Sequence, residues 1–491
     1  MIMSSMIDAL REGSQFEAKA AQNGLPRSLW ETYSAFANTN GGTIVLGVEE
    51  KEGGELEVVG IRNPESLIKS FWDTVNNPSK TSANVLVDSD VRVDTYQGKQ
   101  IIFIEVPRAS RMTRPVYING NPVAGTFRRN GEGDYHCAEE EYLAMVRDSS
   151  SEALDSVLVE SVGMDGLCME SVRSYRNALS ASRPNHPWSK LTIDEMLLRL
   201  GAIGRRMGES EFHPTRAGLL MFGYEYEIVR EFPHYFLDYR SSSYDRRWDD
   251  RVVSNDGEWS GNIFDFWLRV APRLAANITK PFELGEDLKR IEDDPMRKAV
   301  REALANTLVH ADYYGRRYTV IVRHEDRIEF ANPGGLRLPA EVVLNGGFSD
   351  ARNPTLMKMF GLLDVCEKAG SGFDAIRYAC AQARASSPLL VESFNPDRTE
   401  LVLFLGESSA LSSVRHGRER GRAIHFENAS LTDREKAIAL IGQKGETKSS
   451  DIAHALGFST SKAKRILAAL VEGGDIEVYG SGRATRYRLA K

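Results

Sequence analysis

Three polar side chains recur at every fourth position in the stretch VREALANTLVH, residues 300–310. They are Glu302, Asn306 and His310, and the positions between them are mostly apolar or small. Helical residues four apart lie on one face, so the three groups can meet a single ligand. A carboxylate can orient a water, an amide oxygen can ligate Mg²⁺, and an imidazole can donate to phosphate. The pattern therefore predicts a metal–phosphate site, and a polar face on a surface helix is the alternative.

Two glycine-rich turns lie downstream of this helix. NPGGL contains Asn332 and Gly334, and KAGSGFD contains Gly370 and Gly372. Glycines let backbone N–H groups approach a phosphate closely. Together with the polar helix, the two turns indicate a nucleotide-binding site. The sequence contains no G-x-x-x-x-G-K-[ST] motif, which argues against a P-loop motor.

These motifs, together with DRIEFANPGGL and ARNP, resemble the GHKL ATPase domain of gyrase, histidine kinases and MutL, in the form found in bacterial proteins labelled RecG-like. The resemblance covers residues 295–404 and implies a Bergerat-type α/β sandwich that binds ATP and Mg²⁺. It implies that Glu302 orients the attacking water and that Asn306 holds the metal. Asn332 takes the position of the family's adenine-reading aspartate. The resemblance leaves open whether ATP is hydrolysed.

Acidic residues near the N-terminus form a second candidate site. Glu12 and Glu17 lie in REGSQFEAK, and Glu50 follows the predicted strand TIVLGV. If Glu12 ends a helix and Glu17 begins a strand, the two can converge, and Lys19 shares the strand face with Glu17. Convergent carboxylates are what Mg²⁺ or Mn²⁺ requires for phosphodiester cleavage. Ordinary surface acids are the alternative.

The same segment resembles the Schlafen AlbA_2 domain. The resemblance rests on E-x4-E-x-K, SAFANTNGGTIVLGVEE and VVG, within residues 11–60. Schlafen proteins with nuclease activity use two glutamates and one aspartate around a divalent metal. The resemblance assigns the two glutamates to Glu12 and Glu17, and Glu50 falls at the aspartate position.

A further stretch, RPVYINGNPVAGTFRRNGEG, fits the same family. It contains Arg128 and Arg129, which are candidate phosphate contacts if they are not a solvated strand end. Many bacterial proteins with this domain are labelled transcriptional regulators. The resemblance therefore implies nucleic-acid binding, with or without cleavage.

The last part of the chain predicts a winged helix-turn-helix. LTDREKAIALIGQKG predicts a capped helix, two further helices follow, and DIEVYGSGRATRYRLAK predicts two strands. From residue 412 onward the chain carries fifteen Lys or Arg against nine Asp or Glu, whereas the whole chain has net charge −7. This basic tail favours contact with a polyanion. The candidate DNA contacts are Ser461, Lys462, Lys464, Arg465, Arg483 and Arg486.

These patterns predict an α/β (α+β) multidomain chain. The expected parts are an AlbA_2 domain (1–148), a connector or dimerisation region (149–290), a GHKL-like ATP-binding domain (291–406), a linker (407–430) and a winged helix (431–491). No apolar run reaches the length of a membrane span, and four scattered cysteines lack CxxC spacing. We therefore expect a cytoplasmic protein, acting as a homodimer or higher homo-oligomer without a membrane partner.

Two functions remain open from the sequence. In the first, the Glu12, Glu17 and Glu50 site is a metal-dependent nuclease that the nucleotide domain controls. In the second, the chain is an ATP-responsive DNA-binding transcriptional regulator without nuclease activity. Under either hypothesis the partner is nucleic acid, with DNA favoured over RNA, and a weak ATPase activity is compatible with both.

Overall fold

The computed structural model describes most of the first 424 residues and parts of the remainder. The described residues are 14–51, 55–241, 250–276, 278, 294–345, 349–366, 372–394, 397–406, 421–424, 447–449, 452, 463–464, 467, 470–471, 476–479 and 485–489. The chain divides into two compact units, Met1–Ile424 and His425–Lys491.

Twelve α-helices lie within the described residues. They are α1 Ser28–Asn38, α2 Pro64–Val75, α3 Glu139–Ser149, α4 Met169–Ser182, α5 Ile193–Leu200, α6 Arg216–Phe222, α7 Glu225–Glu231, α8 Ile263–Ala275, α9 Pro295–His310, α10 Ala340–Asn345, α11 Pro354–Leu362 and α12 Gly372–Gln382. Short 3₁₀ turns lie at Asp88–Asp90, Leu154–Ser156, Met164–Gly166 and Pro187–Lys190.

The strands of the first unit fall into two main sheets and three short ribbons. They are β1 Phe16–Lys19, β2 Gly42–Leu46, β3 Val48–Glu50, β4 Leu56–Val58, β5 Val91–Tyr96, β6 Lys99–Val106, β7 Phe127–Asn130, β8 Gly133–His136, β9 Ile203–Gly204, β10 His213–Pro214, β11 Leu237–Ser241, β12 Asp250–Val253, β13 Thr319–Arg323, β14 Arg327–Pro333, β15 Leu389–Ser393, β16 Arg398–Phe404 and β17 Gly421–Ile424. The ribbons are the antiparallel pairs β3–β4, β7–β8 and β9–β10.

The first sheet has the order β1-β2-β6-β5 and forms the core of the N-terminal domain. Its β1 and β2 run parallel, while β2–β6 and β6–β5 are antiparallel. Alternate side chains along a strand face opposite sides. One side of this sheet therefore packs against α1 and α2, and the other, which includes Phe16 and Ala18 of β1, packs against Val48 and Val58 of the β3–β4 ribbon. The apolar face of α1 is buried against this sheet; its residues are Leu29, Tyr33, Phe36 and Ala37.

The second sheet has seven strands in the order β12-β11-β13-β14-β16-β15-β17. Its neighbouring strands are antiparallel, except that β11 and β13 are parallel. The stretch RYTVIVRHEDRIEFAN forms the hairpin β13–β14. Helices α9 and α12 contact each other, and residues from both belong to one apolar core with this sheet.

This sheet extends past the domain boundaries expected from the sequence. Strands β11 and β12 come from the predicted connector, and β17 comes from the predicted linker. Helices α4 to α8 also share the core of α9. The structure therefore joins β11 and β12 to the sheet that also contains β13 and β14, where their backbone groups are paired.

The second unit contains the hairpin expected near the C-terminus. Its strands are β18 Ile476–Tyr479 and β19 Arg486–Leu489, which pair in antiparallel register. Thr447 bridges to Tyr487 beside this hairpin. Across the described parts of the chain, the helices are too short or too polar to cross a bilayer.

Candidate functional site

Helix α9 carries the polar stripe predicted from the sequence. Its first turn is fixed by Asp294, whose side chain accepts a hydrogen bond from the backbone N–H of Met296, and by Pro295 at the first helical position. The apolar face of α9 is buried in the core of the nucleotide domain. The polar face therefore lines a cavity.

The cavity lies between α9, α12, β14, β16 and the segment that follows β14. The cavity has a volume of about 150 Å³ and opens to solvent. Sites for small organic ligands typically measure roughly 300–1,000 Å³, so a bound nucleotide would also occupy the open mouth of the cavity. The polar lining consists of Glu302, Asn306, Thr307, His310, Asn332, Arg337, Ser349, Asp350, Arg352 and Thr399.

Glu302 and Asn306 meet at the end of the cavity that faces α12. The Asn306 side chain donates to Glu302 Oε1 at 3.2 Å, and the Cys366 thiol donates to Asn306 Oδ1 at 3.3 Å. Gly372 presses against both groups, since a Cβ there would lie 2.3 Å from Glu302 Oε1. Glycine at position 372 lets α12 approach this closely, since an added Cβ would displace the Glu302 carboxylate.

This pair fits the coordination that Mg²⁺ accepts beside a nucleotide. Mg²⁺ is usually bound through one or two protein oxygens, with phosphate and water oxygens completing its shell. Asn306 supplies an amide oxygen and Glu302 supplies a carboxylate, and both line the cavity. Gly370, the other predicted residue of this turn, lies outside the described residues.

His310 lines the same cavity one turn further along α9. Burial, together with the positive charges of Arg352 and Arg337, lowers the pKa of its imidazole to about 4. His310 is therefore neutral at neutral pH. A neutral imidazole can donate one hydrogen bond and accept another, which suits contact with a phosphate oxygen or a sugar hydroxyl.

Asn332 and Thr399 lie directly opposite each other on β14 and β16. Asn332 donates to the carbonyl of Pro333 at 3.2 Å, and the Thr399 hydroxyl donates to the carbonyl of Gly334 at 2.8 Å. The Asn332 carbonyl oxygen can then accept a hydrogen bond from the amino group of a base. Gly334 has φ +94°, and a Cβ there would lie 2.7 Å from Arg352 Nη1, so glycine is needed on both grounds.

The N-terminal domain supports the rim of this cavity through Asp148. Its carboxylate accepts two hydrogen bonds from Arg352, from Nε at 2.9 Å and from Nη2 at 2.8 Å. Burial acts to raise the pKa of Asp148, but the charge and hydrogen bonds of Arg352 outweigh it and hold this pKa below its usual value. Arg352 Nη2 also donates to the carbonyl of Gly335 at 3.0 Å. One arginine of the cavity wall is thus anchored by the neighbouring domain.

Arg108 makes a second support from the N-terminal domain. Its guanidinium binds both carboxylate oxygens of Glu392, at 2.6 and 2.9 Å, and donates to the carbonyl of Leu336 at 2.9 Å. Glu392 in turn accepts from the backbone N–H of Leu336 at 2.7 Å. The turn that lines the cavity is therefore fixed from behind by ion-paired groups.

Glu17 and Lys19 share a face of β1, as predicted, and pair at 2.8 Å. The other oxygen of Glu17 accepts from Arg129 Nη2 at 2.8 Å, and Arg129 also binds Asp134 at 2.9 Å. The Arg129 side chain is only 1% exposed. This arginine therefore holds β1 to β7 and β8 and does not lie at the surface where a phosphate contact was expected.

Arg128 is also buried. Its guanidinium forms an ion pair with Asp397 of the nucleotide domain, with Nη2 2.9 Å from Oδ2, and lies 3.3 Å from Glu141. This differs from the expected phosphate contact, because strand β7 turns the side chain toward the neighbouring domain. A phosphodiester could reach it only by displacing Asp397.

The predicted metal triad is only partly described. Glu50 ends β3 and is exposed, while Glu12 lies outside the described residues. In the described part of the chain, no three His, Cys, Asp or Glu side chains are grouped to hold a metal ion. The carboxylate oxygens of Glu17 both accept hydrogen bonds from cations.

Two of the predicted DNA contacts in the second unit are described, and both are exposed: Lys464 and Arg486. Lys464 is flanked by buried Ala463, and the helical positions Leu467 and Leu470 are buried as well. Among the described positions, the buried residues follow helical spacing and Lys464 beside them is exposed. The other predicted contacts, Ser461, Lys462, Arg465 and Arg483, lie outside the described residues.

Several cavity residues were not singled out from the sequence. Thr399 carries no motif of its own and enters the site only because β16 pairs with β14. Arg352 lies within the ARNP motif. That motif contributed to the family resemblance, but the sequence assigned no role to this arginine. Arg337 and Asp350 resemble ordinary surface charges in the sequence, and long-range ion pairs hold them at the cavity.

Three families match separate parts of the chain. Residues 12–138 match "Schlafen, AlbA_2", residues 318–403 match "Putative ATP-dependent DNA helicase recG C-terminal", and residues 143–238 match "Domain of unknown function (DUF8451)". The chain therefore contains a Schlafen AlbA_2 domain and a RecG C-terminal-like ATPase-type domain, which confirms both resemblances. The second match begins after α9, so the placement of Glu302 and Asn306 in the site rests on the structure.

Solved structures with similar chains add no functional argument. The DIP2311 protein of Corynebacterium diphtheriae matches with 18% identity and a TM-score of 0.44, over 97% of this chain and 91% of that chain. The N-terminal domain of a RecG-related protein of Nitrosomonas europaea matches with 25% identity and a TM-score of 0.22, over 28% of this chain and 93% of that chain. No curated relative matches the chain.

Proposed function

We propose that this protein binds ATP with Mg²⁺ in the cavity beside α9 and uses the bound nucleotide to control its contact with nucleic acid. The observation that carries the proposal is the arrangement of polar groups at that cavity. Glu302 and Asn306 meet Gly372 at the α12 side, while Asn332 and Thr399 face each other across β14 and β16. The first set suits a metal-bound phosphate, and the second suits a base.

Each lining residue has a distinct part in this proposal. Asn306 and Glu302 would hold Mg²⁺, which neutralises phosphate charge when bound. His310, neutral at neutral pH, donates to a phosphate or sugar oxygen. Asn332 accepts from the amino group of adenine. Arg352 and Arg337 add positive charge to the cavity wall.

A binding titration tests the nucleotide site. Full-length protein is titrated with a fluorescent ATP analogue, with Mg²⁺ or with EDTA. Asn306→Ala is expected to lose the Mg²⁺-dependent part of the affinity, and Asn76→Ala is the matched control because Asn76 is an exposed residue at the end of α2. Equal affinity of wild type and Asn306→Ala in Mg²⁺ would exclude this assignment.

The ion pairs made by Arg108 and Asp148 link the nucleotide cavity to the N-terminal region, and Arg108 lies in the segment that matches AlbA_2. Asp148 anchors Arg352, and Arg108 anchors the turn at Leu336, so a ligand in the cavity contacts groups that the N-terminal domain holds. A ligand shifts an equilibrium only by its differential affinity for two arrangements. We infer that the docked arrangement is the one that ATP stabilises, in a homodimer or higher homo-oligomer.

The activity that we propose the nucleotide controls is nucleic-acid binding, with DNA favoured over RNA. The protein would then act as an ATP-responsive transcriptional regulator. The exposed Lys464 and Arg486 of the predicted winged helix support contact with a polyanion. The pairing of Glu17 with Lys19 and Arg129 supports a structural part for this acid.

Nuclease activity is the second candidate, and the adjacent Glu17 and Lys19 on a half-buried strand face favour it. Labelled single-stranded DNA, duplex DNA and tRNA are incubated with full-length protein in Mg²⁺ or Mn²⁺, with and without ATP. Products that disappear in Glu17→Gln but persist in the surface variant Glu31→Gln would establish cleavage. Intact substrates in all lanes, with binding retained, would support the regulator.

A further inference from the structure

A buried cysteine lies beside the asparagine that the proposed function assigns to Mg²⁺. Cys366 follows α11 in the chain, and its Sγ lies 3.3 Å from Oδ1 of Asn306 on α9. The two residues are 60 positions apart, so the fold and not the local sequence creates this contact. The contact is made to the amide oxygen, which is the atom of an asparagine side chain that binds Mg²⁺.

The turn that ends α11 holds Cys366 in place. The backbone N–H of Val365 donates to the carbonyl of Phe360, and that of Asp364 donates to the carbonyl of Gly361, both at 3.3 Å. Asp364 has φ +55°, so this helix ends in a Schellman motif with a left-handed residue. A Cβ added at Gly361 would lie 3.2 Å from the carbonyl oxygen of Cys366. The backbone of Cys366 is therefore packed closely against the last turn of α11.

The nitrogen of the Asn306 amide has different neighbours. Its Nδ2 donates to Glu302 Oε1 at 3.2 Å, and a Cβ added at Gly372 would lie 3.3 Å from this nitrogen. Helix α12 therefore packs against the nitrogen side of the amide, while Cys366 lies on the oxygen side.

These neighbours favour one orientation of the amide over the other. A carboxylate only accepts hydrogen bonds, whereas a thiol is a weak donor. In the observed orientation the NH₂ group meets the Glu302 carboxylate and the oxygen meets the Cys366 thiol. Rotation by 180° would place the oxygen against the carboxylate and the NH₂ group against the thiol, so both hydrogen bonds would be lost.

The orientation matters for a metal because the two ends of an amide differ chemically. Mg²⁺ takes oxygen ligands, and the NH₂ group cannot replace one. An amide oxygen has two lone pairs, so it can accept from the thiol and bind the metal together. Apparent affinity falls in proportion to the fraction of molecules in the binding-competent arrangement. A group that favours the observed orientation of Asn306 therefore strengthens Mg²⁺ binding without touching the metal.

We propose that Cys366 is a positioning residue of the nucleotide site, whose thiol keeps Oδ1 of Asn306 in the orientation that binds Mg²⁺. The inference rests on the proposed function, because it concerns the same metal. Groups that orient a metal ligand typically change metal affinity by roughly 10- to 100-fold. A thiol is a weak donor, so the expected effect lies at about the tenfold end of this range.

A magnesium titration of the full-length protein tests this role. Binding of a fluorescent ATP analogue is followed as Mg²⁺ is added, and its affinity is also measured in EDTA. Cys366→Ala is expected to raise the Mg²⁺ concentration at half-saturation about tenfold and to leave the affinity in EDTA unchanged. Cys366→Ser, which keeps a hydroxyl donor, is expected to restore the wild-type value. Cys380→Ala is the matched control, because Cys380 on α12 is buried in the same core.

A second background separates orientation from packing. Asn306→Asp places a carboxylate beside Cys366, and a carboxylate presents an oxygen in either orientation. Adding Cys366→Ala to Asn306→Asp is therefore expected to cause no further loss of Mg²⁺ affinity. The same loss in both backgrounds would show that Cys366 only fills space and would overturn the proposal. If Asn306→Asp binds no nucleotide, the comparison of Cys366→Ala with Cys366→Ser decides.

The outcomes distinguish this inference from the proposed function on which it rests. Wild-type Mg²⁺ dependence in Cys366→Ala, or an equal loss in Cys366→Ser and Cys366→Ala, would overturn the role of the thiol and leave the nucleotide site intact. If wild type binds the ATP analogue equally in Mg²⁺ and in EDTA, the proposed metal site fails and this inference fails with it.

Discussion

Asp148→Asn is the substitution that most directly probes how the N-terminal domain supports the nucleotide cavity. The carboxylate of Asp148 accepts hydrogen bonds from two nitrogens of Arg352, at 2.9 and 2.8 Å. Arg352 also donates to the backbone carbonyls of His310 and Gly335 on the cavity wall. The substitution keeps the size of the side chain but removes the charge and one acceptor.

The expected magnitude follows from the burial of this pair. The side chains of Asp148 and Arg352 are 21% and 11% exposed, so solvent screens the interaction only in part. A hydrogen bond to a charged group contributes about 1.5–3 kcal/mol, and asparagine retains one acceptor. We expect a loss of about 2 kcal/mol in docking. If most of this loss of docking free energy also weakens ATP binding, the dissociation constant for ATP rises roughly tenfold, since a tenfold change corresponds to about 1.4 kcal/mol.

The assay is isothermal titration of full-length protein with ATP and Mg²⁺, together with urea unfolding of the same samples. Asp73→Asn is the matched control, because Asp73 is an exposed acid on α2 and lies outside the cavity lining. Asp148→Glu is expected to recover part of the affinity. A variant that is less stable toward urea but binds ATP as wild type does would refute the proposed support of the cavity by this domain.

Other substitutions test other parts of the account. Gly372→Ala is expected to weaken ATP binding at least tenfold in the same titration, because the added Cβ would lie 2.3 Å from Glu302 Oε1; wild-type affinity would contradict the close approach of α12. The free energy of unfolding is expected to fall by roughly 3 kcal/mol between pH 6.5 and pH 4, because the unfolded chain protonates His310 below its ordinary pKa while the folded chain does so only near pH 4. His310→Gln should flatten that part of the urea-unfolding pH profile, and an unchanged profile would contradict the buried neutral imidazole. Arg129→Met is expected to lower the free energy of unfolding by about 3 kcal/mol, because Asp134 loses its arginine and Glu17 keeps only Lys19, while Arg92→Met changes it little.

Sequence patterns predicted the elements that depend mainly on interactions between residues close together in the chain. The polar stripe of α9 and the C-terminal hairpin β18–β19 both appear in the structure. Helical periodicity and turn residues act over a few positions, so they are readable from the sequence. The glycines at 334 and 372 were found for the same reason, although the contacts that require them were not.

The features that the sequence did not predict arise from contacts between residues far apart in the chain. Strands β11 and β12 precede α9 in the chain, yet β11 pairs with β13 inside the nucleotide domain. The partner of Arg128 is Asp397, 269 positions away, so this arginine resembled a surface charge in the sequence. Which charges become buried depends on how domains dock, and a single sequence carries no local signal of that docking.

The measurement that tests the central claim most directly is DNA binding by the full-length protein with and without nucleotide. Fluorescence anisotropy of labelled duplex DNA is recorded at fixed salt in the presence of Mg²⁺ alone, ATP with Mg²⁺, and ATP with Mg²⁺ in Asn306→Ala. Coupling between two sites typically changes affinity about 5- to 150-fold. We predict a change of at least about fivefold on adding ATP to wild type and none in the variant. An identical dissociation constant in all three conditions, with ATP binding verified separately, would contradict control of nucleic-acid binding by the nucleotide domain.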